Sequence, residues 1–228
     1  MSQNTYQCFV KRLREERIRL KLTQKQMADR MKMSENHYSK AEKERRRLSF
    51  FETKYLCETE LDSFYIFTGR KIERNQASFF AQYQYAELLN YYEMVCMLVV
   101  RPNSRQKALS MEDKRIIDYA RYLVATENRE KTVFKKYREY KGFSQFHMAE
   151  KLGVDLKKLR ELERGKLLPD SELIWKMSSQ LYIPFSLILK DKNGVISEIC
   201  CLLELMKPDS RGLVMEIMQK LEKIGDKG

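Results

Sequence analysis

Cationic side chains are the chemistry this sequence offers in quantity, and they are unevenly placed. The 228 residues include 44 Lys and Arg against 32 Asp and Glu, a formal charge of +12. Residues 1–70 hold 16 basic and 10 acidic side chains, and residues 131–190 hold 13 and 7. Residues 71–130 are close to neutral, with 9 and 8, and residues 191–228 carry 6 and 7. A solubilising surface has no reason to divide in that way, whereas two modules facing a polyanion do. Inside the first basic segment, Glu35, Asn36, His37 and Lys40 stand close together, followed by Lys43, Arg45 and Arg46. An Asn amide can pair bidentately with adenine, a Lys can bond guanine acceptors, and a Glu can accept from cytosine N4. The remaining cations suit phosphates.

The elements that must position these residues occur twice. Thr23 to Glu44, "TQKQMADRMKMSENHYSKAEKE", is matched without a gap 121 residues later by Ser144 to Gly165, "SQFHMAEKLGVDLKKLRELERG". Gln24/Gln145, Met27/Met148, Ala28/Ala149 and Glu42/Glu163 are identical, and seven further pairs keep their chemistry. In the first copy, Met27, Ala28 and Met31 have the spacing of one helical face, with Thr23 as N-cap. A short break at Lys32–Met33 precedes a second N-cap, Ser34, and Tyr38 and Ala41 mark the buried side of the next helix. Two short helices joined by a tight turn form a helix-turn-helix. The second copy has Gly153 at the turn and Asp155 as the cap.

On these residues both copies resemble the Cro/phage-repressor (xenobiotic-response-element) family of helix-turn-helix regulators. The signatures are "LTQKQMADRM…MSENHYSKAEK" and "FSQFHMAEKLGVDLKKLRELERGKLLP". The likeness reaches upstream to Arg17 and Arg138 on a first helix. It continues downstream through "SFFETKYLCETELDSFYIFTG" and "PDSELIWKMSSQLYIPFSLIL" as fourth and fifth helices. It implies an all-α protein with two lambda-repressor-like five-helix domains, each followed by a pair of amphipathic helices. The boundaries are 6–70 for the first helix-turn-helix domain, 71–130 for a helical linker, 131–190 for the second domain and 191–228 for a C-terminal helical pair.

The resemblance also implies roles. The second helix of each pair enters the DNA major groove, and the helix before it lies across the phosphate backbone. Glu35, Asn36, His37 and Lys40 then face bases, and Gln24, Lys43, Arg45 and Arg46 face phosphates. The equivalents in the second copy are Leu156, Lys157 and Glu161 toward bases, with Gln145, Lys158 and Arg164 toward phosphates. Leu156 can offer only an apolar contact to a thymine methyl. Glu42 and Glu163 read as structural, each paired with Arg17 or Arg138, and Met27, Met31, Met33 and Tyr38 read as core. Three positions depart from the family pattern. Lys32 stands where the tight turn favours Gly, a strain of about 1 kcal/mol if the backbone is left-handed, Glu44 replaces the Gly that ends the recognition helix, and Phe146 replaces a polar residue.

Outside the copies, Ala77 to Val100 reads as one long helix whose apolar face includes Phe80, Tyr83, Leu88, Tyr91, Val95, Leu98 and Val99. "RPNS" (Arg101 to Ser104) ends it. Ser110, with Asp113 three residues on, caps another helix buried through Ile116, Ile117, Ala120, Leu123 and Val124. Val195 to Met206 and Asp209 to Ile224 form two more amphipathic helices. Their apolar stripes leave three partners open: the other half of the chain, a second copy in a homodimer, or a protein or small-molecule regulator. No polar constellation in the sequence points to a small-molecule pocket.

Several classes are disfavoured. The longest apolar run, "MVCMLVV", is far too short for a membrane span, and "MSQNTYQCF" lacks the features of a signal peptide. Five cysteines without a C-x-x-C pair read as reduced thiols in a cytosolic protein. Two histidines make a zinc site improbable. No Gly-rich phosphate loop or nucleophile–base pair is present, so neither an enzyme nor a cofactor is expected. The sequence thus points to a cytoplasmic transcriptional repressor binding a double-stranded DNA operator. The rival is a protein-interaction module, antitoxin-like, whose second copy contacts protein.

Overall fold

The computed structural model describes residues 6–73, 76–101, 109–125 and 131–225, and among them every regular element is a helix. The first five are α1 (Tyr6–Arg19), α2 (Gln24–Arg30), α3 (Glu35–Glu42), α4 (Phe50–Cys57) and α5 (Ser63–Thr68). Then come α6 (Ala77–Phe80), α7 (Tyr85–Val99) and α8 (Met111–Ala125). Five more follow as α9 (Val133–Tyr140), α10 (Gln145–Leu152), α11 (Leu156–Glu163), α12 (Ser171–Leu181) and α13 (Phe185–Leu189). The chain closes with α14 (Lys192–Glu204) and α15 (Pro208–Gly225).

The 121-residue spacing extends well beyond the stretch in which it is legible as sequence. The helix caps Thr23/Ser144, Ser34/Asp155 and Ser49/Asp170 recur at that offset, and each side-chain oxygen accepts a backbone N–H of the first turn. Four left-handed backbone positions recur too. Lys21, Lys32, Glu44 and Gly69 (φ 56, 54, 59 and 75°) correspond to Gly142, Gly153, Gly165 and Lys190 (φ 64, 65, 68 and 53°). Each pair has glycine on one side, so the same turn is made with and without a Cβ. Lys32 carries the strain expected of it, and Glu44 is left-handed as well.

Two expectations fail between and after the halves. Ala77 to Val100 is not one helix: α6 ends at Phe80, and Gln84 is extended (ψ 163°) before α7 begins. The backbone N–H of Gln84 is taken by the Glu87 carboxylate at 2.7 Å, restarting the helix. Phe79, Phe80, Tyr83 and Tyr91 then fold over the break edge to face, with centroids 4.7–6.4 Å apart. The region around "RPNS" after Arg101 lies outside the described residues. Nor is α14 amphipathic, because every residue from Gly194 to Leu203 is buried. A helix buried on every side needs partners all round, and α5, α6, α7 and α13 supply them. Ser110 caps α8 as expected, accepting from the Asp113 N–H at 3.0 Å.

The two five-helix runs meet directly, since α12 packs on α1 and α5, and α14 on α5 and α7. The junction is polar at one spot. Ser171 is fully buried at the start of α12, and its N–H donates to Leu48 O at 2.9 Å. Its Oγ accepts from the Leu48 N–H at 3.1 Å and lies 2.6 Å from the Tyr6 hydroxyl. Beside it Arg47 bonds Glu172 at 2.6 Å and stacks over the Tyr6 ring. Elsewhere the junction is apolar: Phe67 stacks on Phe185 at 4.4 Å, and Tyr6 meets Trp175 edge-on. Of the partners left open for the apolar stripes, the other half of the chain covers α7 and α14. Ser171→Ala would leave the Leu48 N–H without its acceptor inside a dry contact. It should lower unfolding stability by about 1–3 kcal/mol in urea denaturation, whereas Ser39→Ala, at a half-buried position on α3, should be nearly neutral.

Candidate nucleic-acid interface

The helix pair α2–α3 is held by one buried carboxylate. Glu42 ends α3 and points inward, where it accepts from Arg17 Nε at 2.7 Å and Nη2 at 3.1 Å. It also accepts from Gln24 Nε2 at 2.8 Å and the Tyr38 hydroxyl at 2.9 Å. Arg17 turns its remaining nitrogen onto Leu22 O at 2.7 Å, so one ion pair ties α1, the following turn, α2 and α3 together. Burial alone would raise the Glu42 carboxyl, but the bonds from Arg17, Gln24 and Tyr38 outweigh it and hold it below the usual range. Four donors on two oxygens leave it no unmet demand.

The arrangement recurs 121 residues on. Arg138 forks onto Glu163, with Nη2 3.2 Å from Oε2, and donates to Phe143 O at 3.2 Å. Gln145 Nε2 reaches Glu163 Oε2 at 2.9 Å. Leu159 replaces Tyr38, so this carboxylate has one donor fewer. The structural reading of Glu42 and Glu163 agrees with these contacts.

With its buried side occupied by Tyr38 and Ala41, α3 presents Glu35, Asn36, His37 and Lys40 to solvent. These four side chains touch no described residue closely enough for a hydrogen bond or ion pair. Lys43 and Arg45 are exposed just beyond the helix end. Arg46 is drawn back: its guanidinium forks onto Glu52 with two 2.9 Å bonds. Gln24 is half-buried and gives one N–H of its amide to Glu42, which leaves its second N–H and its carbonyl oxygen. On α11, Lys157 is exposed, while Leu156, Lys158 and Glu161 are half-buried. Arg164 is exposed, and Gln145 Oε1 accepts from Arg160 at 3.3 Å. Phe146 at the start of α10 is 72% exposed, the most open of the large apolar side chains described.

Sequence reasoning passed over Arg47 and Arg160. Arg47 belongs to the basic run after α3 but serves the junction with α12, 125 positions away in the chain, and no local spacing signals that. Arg160 sits at the 121-offset equivalent of Ser39, so the first copy offers no guide to it.

Residues 13–52, from within α1 into α4, match a family model described as helix-turn-helix. That places a helix-turn-helix segment at α2–α3 and supports DNA binding and transcription regulation through it. The comparisons with curated proteins and with solved structures give no match. No helix among the described residues is long and apolar enough to cross a membrane.

The depressed Glu42 carboxyl has a defined pH signature. Its folded-state value lies below the unfolded one, so its contribution is present above roughly pH 4.5 and is lost as pH falls through the folded value. Glu42→Gln leaves the buried Arg17 charge uncompensated and should cost about 3 kcal/mol at pH 7. In urea titrations at stepped pH, the gap between variant and wild type should narrow below pH 4. A gap constant with pH would mean the carboxylate is not the pin.

Proposed function

We propose that this protein is a sequence-specific double-stranded DNA-binding transcription regulator, acting as a cytoplasmic repressor. In this reading α1–α5 and α9–α13 are two copies of one helix-turn-helix unit. The observation that carries it is the exposed face of α3. A buried pin fixes the helix from within, and its outward residues Glu35, Asn36, His37 and Lys40 are left without partners.

An α-helix presented this way fits the major groove, where Asn36 and Lys40 suit adenine and guanine and Glu35 suits cytosine N4. Lys43 and Arg45 suit flanking phosphates directly. Gln24 keeps a second amide N–H and Arg46 keeps further guanidinium N–H groups for phosphates while each stays on its carboxylate. In the second half Lys157, Lys158 and Arg164 supply the charge, Leu156 an apolar contact, Glu161 an acceptor and Gln145 a phosphate contact. Since the two sets of outward residues differ, the operator is asymmetric.

A protein partner for the second half is favoured by one feature, the exposed Phe146 ring beside the half-buried Leu156. Phe146→Ser separates the two readings, since DNA affinity is unaffected if the ring serves a protein partner.

Fluorescence anisotropy on the enriched operator tests the main reading. Lys40→Ala and Asn36→Ala should each lose about 1–3 kcal/mol of discrimination at one base position. Arg45→Ala should weaken all duplexes alike and reduce the salt slope by about one unit. Unchanged base preference in Lys40→Ala would remove α3 from the groove.

A further inference from the structure

A cavity of about 110 Å³ lies where the two halves and the connecting helices converge. Its walls come from α1, α5, α7, α8, α12, α13 and α14, so residues as distant as Arg12 and Leu205 share it. Phe64, Phe67, Phe185 and Leu202 make it largely apolar. Among the described residues, two buried polar atoms on its lining, Ser179 Oγ and Glu198 Oε2, make no hydrogen bond of ordinary length, although the Ser186 and Tyr92 hydroxyls lie beside the Glu198 carboxyl. A buried polar group left unpaired in a finished fold needs a reason, and a ligand is one.

The charged lining decides the sign of that ligand. Arg12 and Arg70 both line the cavity, against Asp113 and Glu198. Asp113 and Arg70 pair with each other at 3.3 Å, and Asp113 also accepts from the Ser110 hydroxyl at 2.6 Å, so their charges offset and Arg12 is the cation left over, with Arg70 keeping spare N–H donors. Glu198 lies on α14 with 7% of its surface exposed, and desolvation pushes its carboxyl up to about 8, so at neutral pH it is mostly uncharged. Arg12 has only long contacts, Nη1 to the carbonyls of Ile66 and Phe67 at 3.4 and 3.5 Å. It is held there by shape: Gly69 has φ +75°, and a Cβ at that position would fall 2.4 Å from Arg12 Nη2. The guanidinium lies flush on bare backbone, with its hydrogen-bonding capacity largely unspent.

We propose that this cavity binds a small organic carboxylate with an apolar body and a second polar group. Its carboxylate meets Arg12 and Arg70, its body lies against Phe64, Phe67 and Phe185, and its polar end faces Ser179 and Glu198. An amine would meet two guanidinium groups, and a hydrocarbon would leave both unpartnered oxygens unsatisfied. The site is independent of how the chain reads DNA.

The test uses the full chain without DNA. Calorimetric titration with 4-hydroxybenzoate, benzoate, 4-hydroxybenzamide and 4-hydroxybenzylamine separates the contributions. Saturable one-to-one binding is expected for 4-hydroxybenzoate, weaker for benzoate, weaker again for the amide, and absent for the amine. Arg12→Gln should weaken 4-hydroxybenzoate roughly tenfold or more, the loss of one charge-assisted bond. Cys201→Met, which pushes extra volume into the cavity from α14, should abolish binding while keeping the helical circular dichroism. No binding of either carboxylate at millimolar concentration overturns the proposal. So does tighter binding of the amine, or wild-type affinity in both variants.

Discussion

A helix that is buried on every side constrains everything around it. From Gly194 to Leu203, α14 has no face for water, so it cannot sit at the edge of a domain. It must be enclosed, and the enclosing helices come from both halves of the chain. Gly194 shows how tight the enclosure is: a Cβ there would fall 2.6 Å from Asp191 Oδ2 and 2.9 Å from Ser186 Cβ. Burying Val195, Ile199, Cys200 and Leu203, at about 25 cal/mol per Å² of apolar surface, favours the two five-helix runs packed together over the same runs apart. Two carboxyls are enclosed with them, Asp191 and Glu198, and burial pushes both up, Glu198 to about 8.

Around that centre, each five-helix run is held by its own ion pair. Arg17–Glu42 and Arg138–Glu163 stand in corresponding places, each drawing a Gln amide and a turn carbonyl into the same network. Buried pairs of this kind add little net stability over apolar replacements, but breaking one is costly. Their effect is geometric. They set the angle between consecutive short helices that have too little apolar surface to set it themselves. The outward residues of α3 are free to differ from those of α11 because neither set contributes to the pin.

What was legible in the sequence was local. Caps such as Thr23, Ser34 and Asp155 follow from residue type and short spacing, whereas the left-handed Lys32 and Glu44 and the Arg–Glu pairs, 25 positions apart, follow only from the family resemblance. The break after Phe80 was not legible, because Ala77 to Val100 keeps apolar residues at near-helical intervals throughout. Only the extended Gln84, stabilised through Glu87 and the aromatic cluster, stops the helix. The all-round burial of α14 was hidden by Ser197 and Glu198, which imitate a polar face. The Ser171–Leu48–Tyr6 contact joins positions 123 and 165 apart, and nothing in either neighbourhood marks it. On the candidate site, the exposed residues of α3 were foreseen, while the engagement of Gln24 and Arg46 by carboxylates was not. Such engagement depends on which acid happens to lie within reach after folding.

In the proposed function, one chain carries two reading helices, α3 and α11, at a set separation. Enrichment of duplexes from a random library by the purified protein, at physiological salt, tests it most directly. The expected outcome is a bipartite, asymmetric motif whose two parts keep one spacing to within about a base pair. A single short motif, or two parts at freely varying spacing, would contradict it.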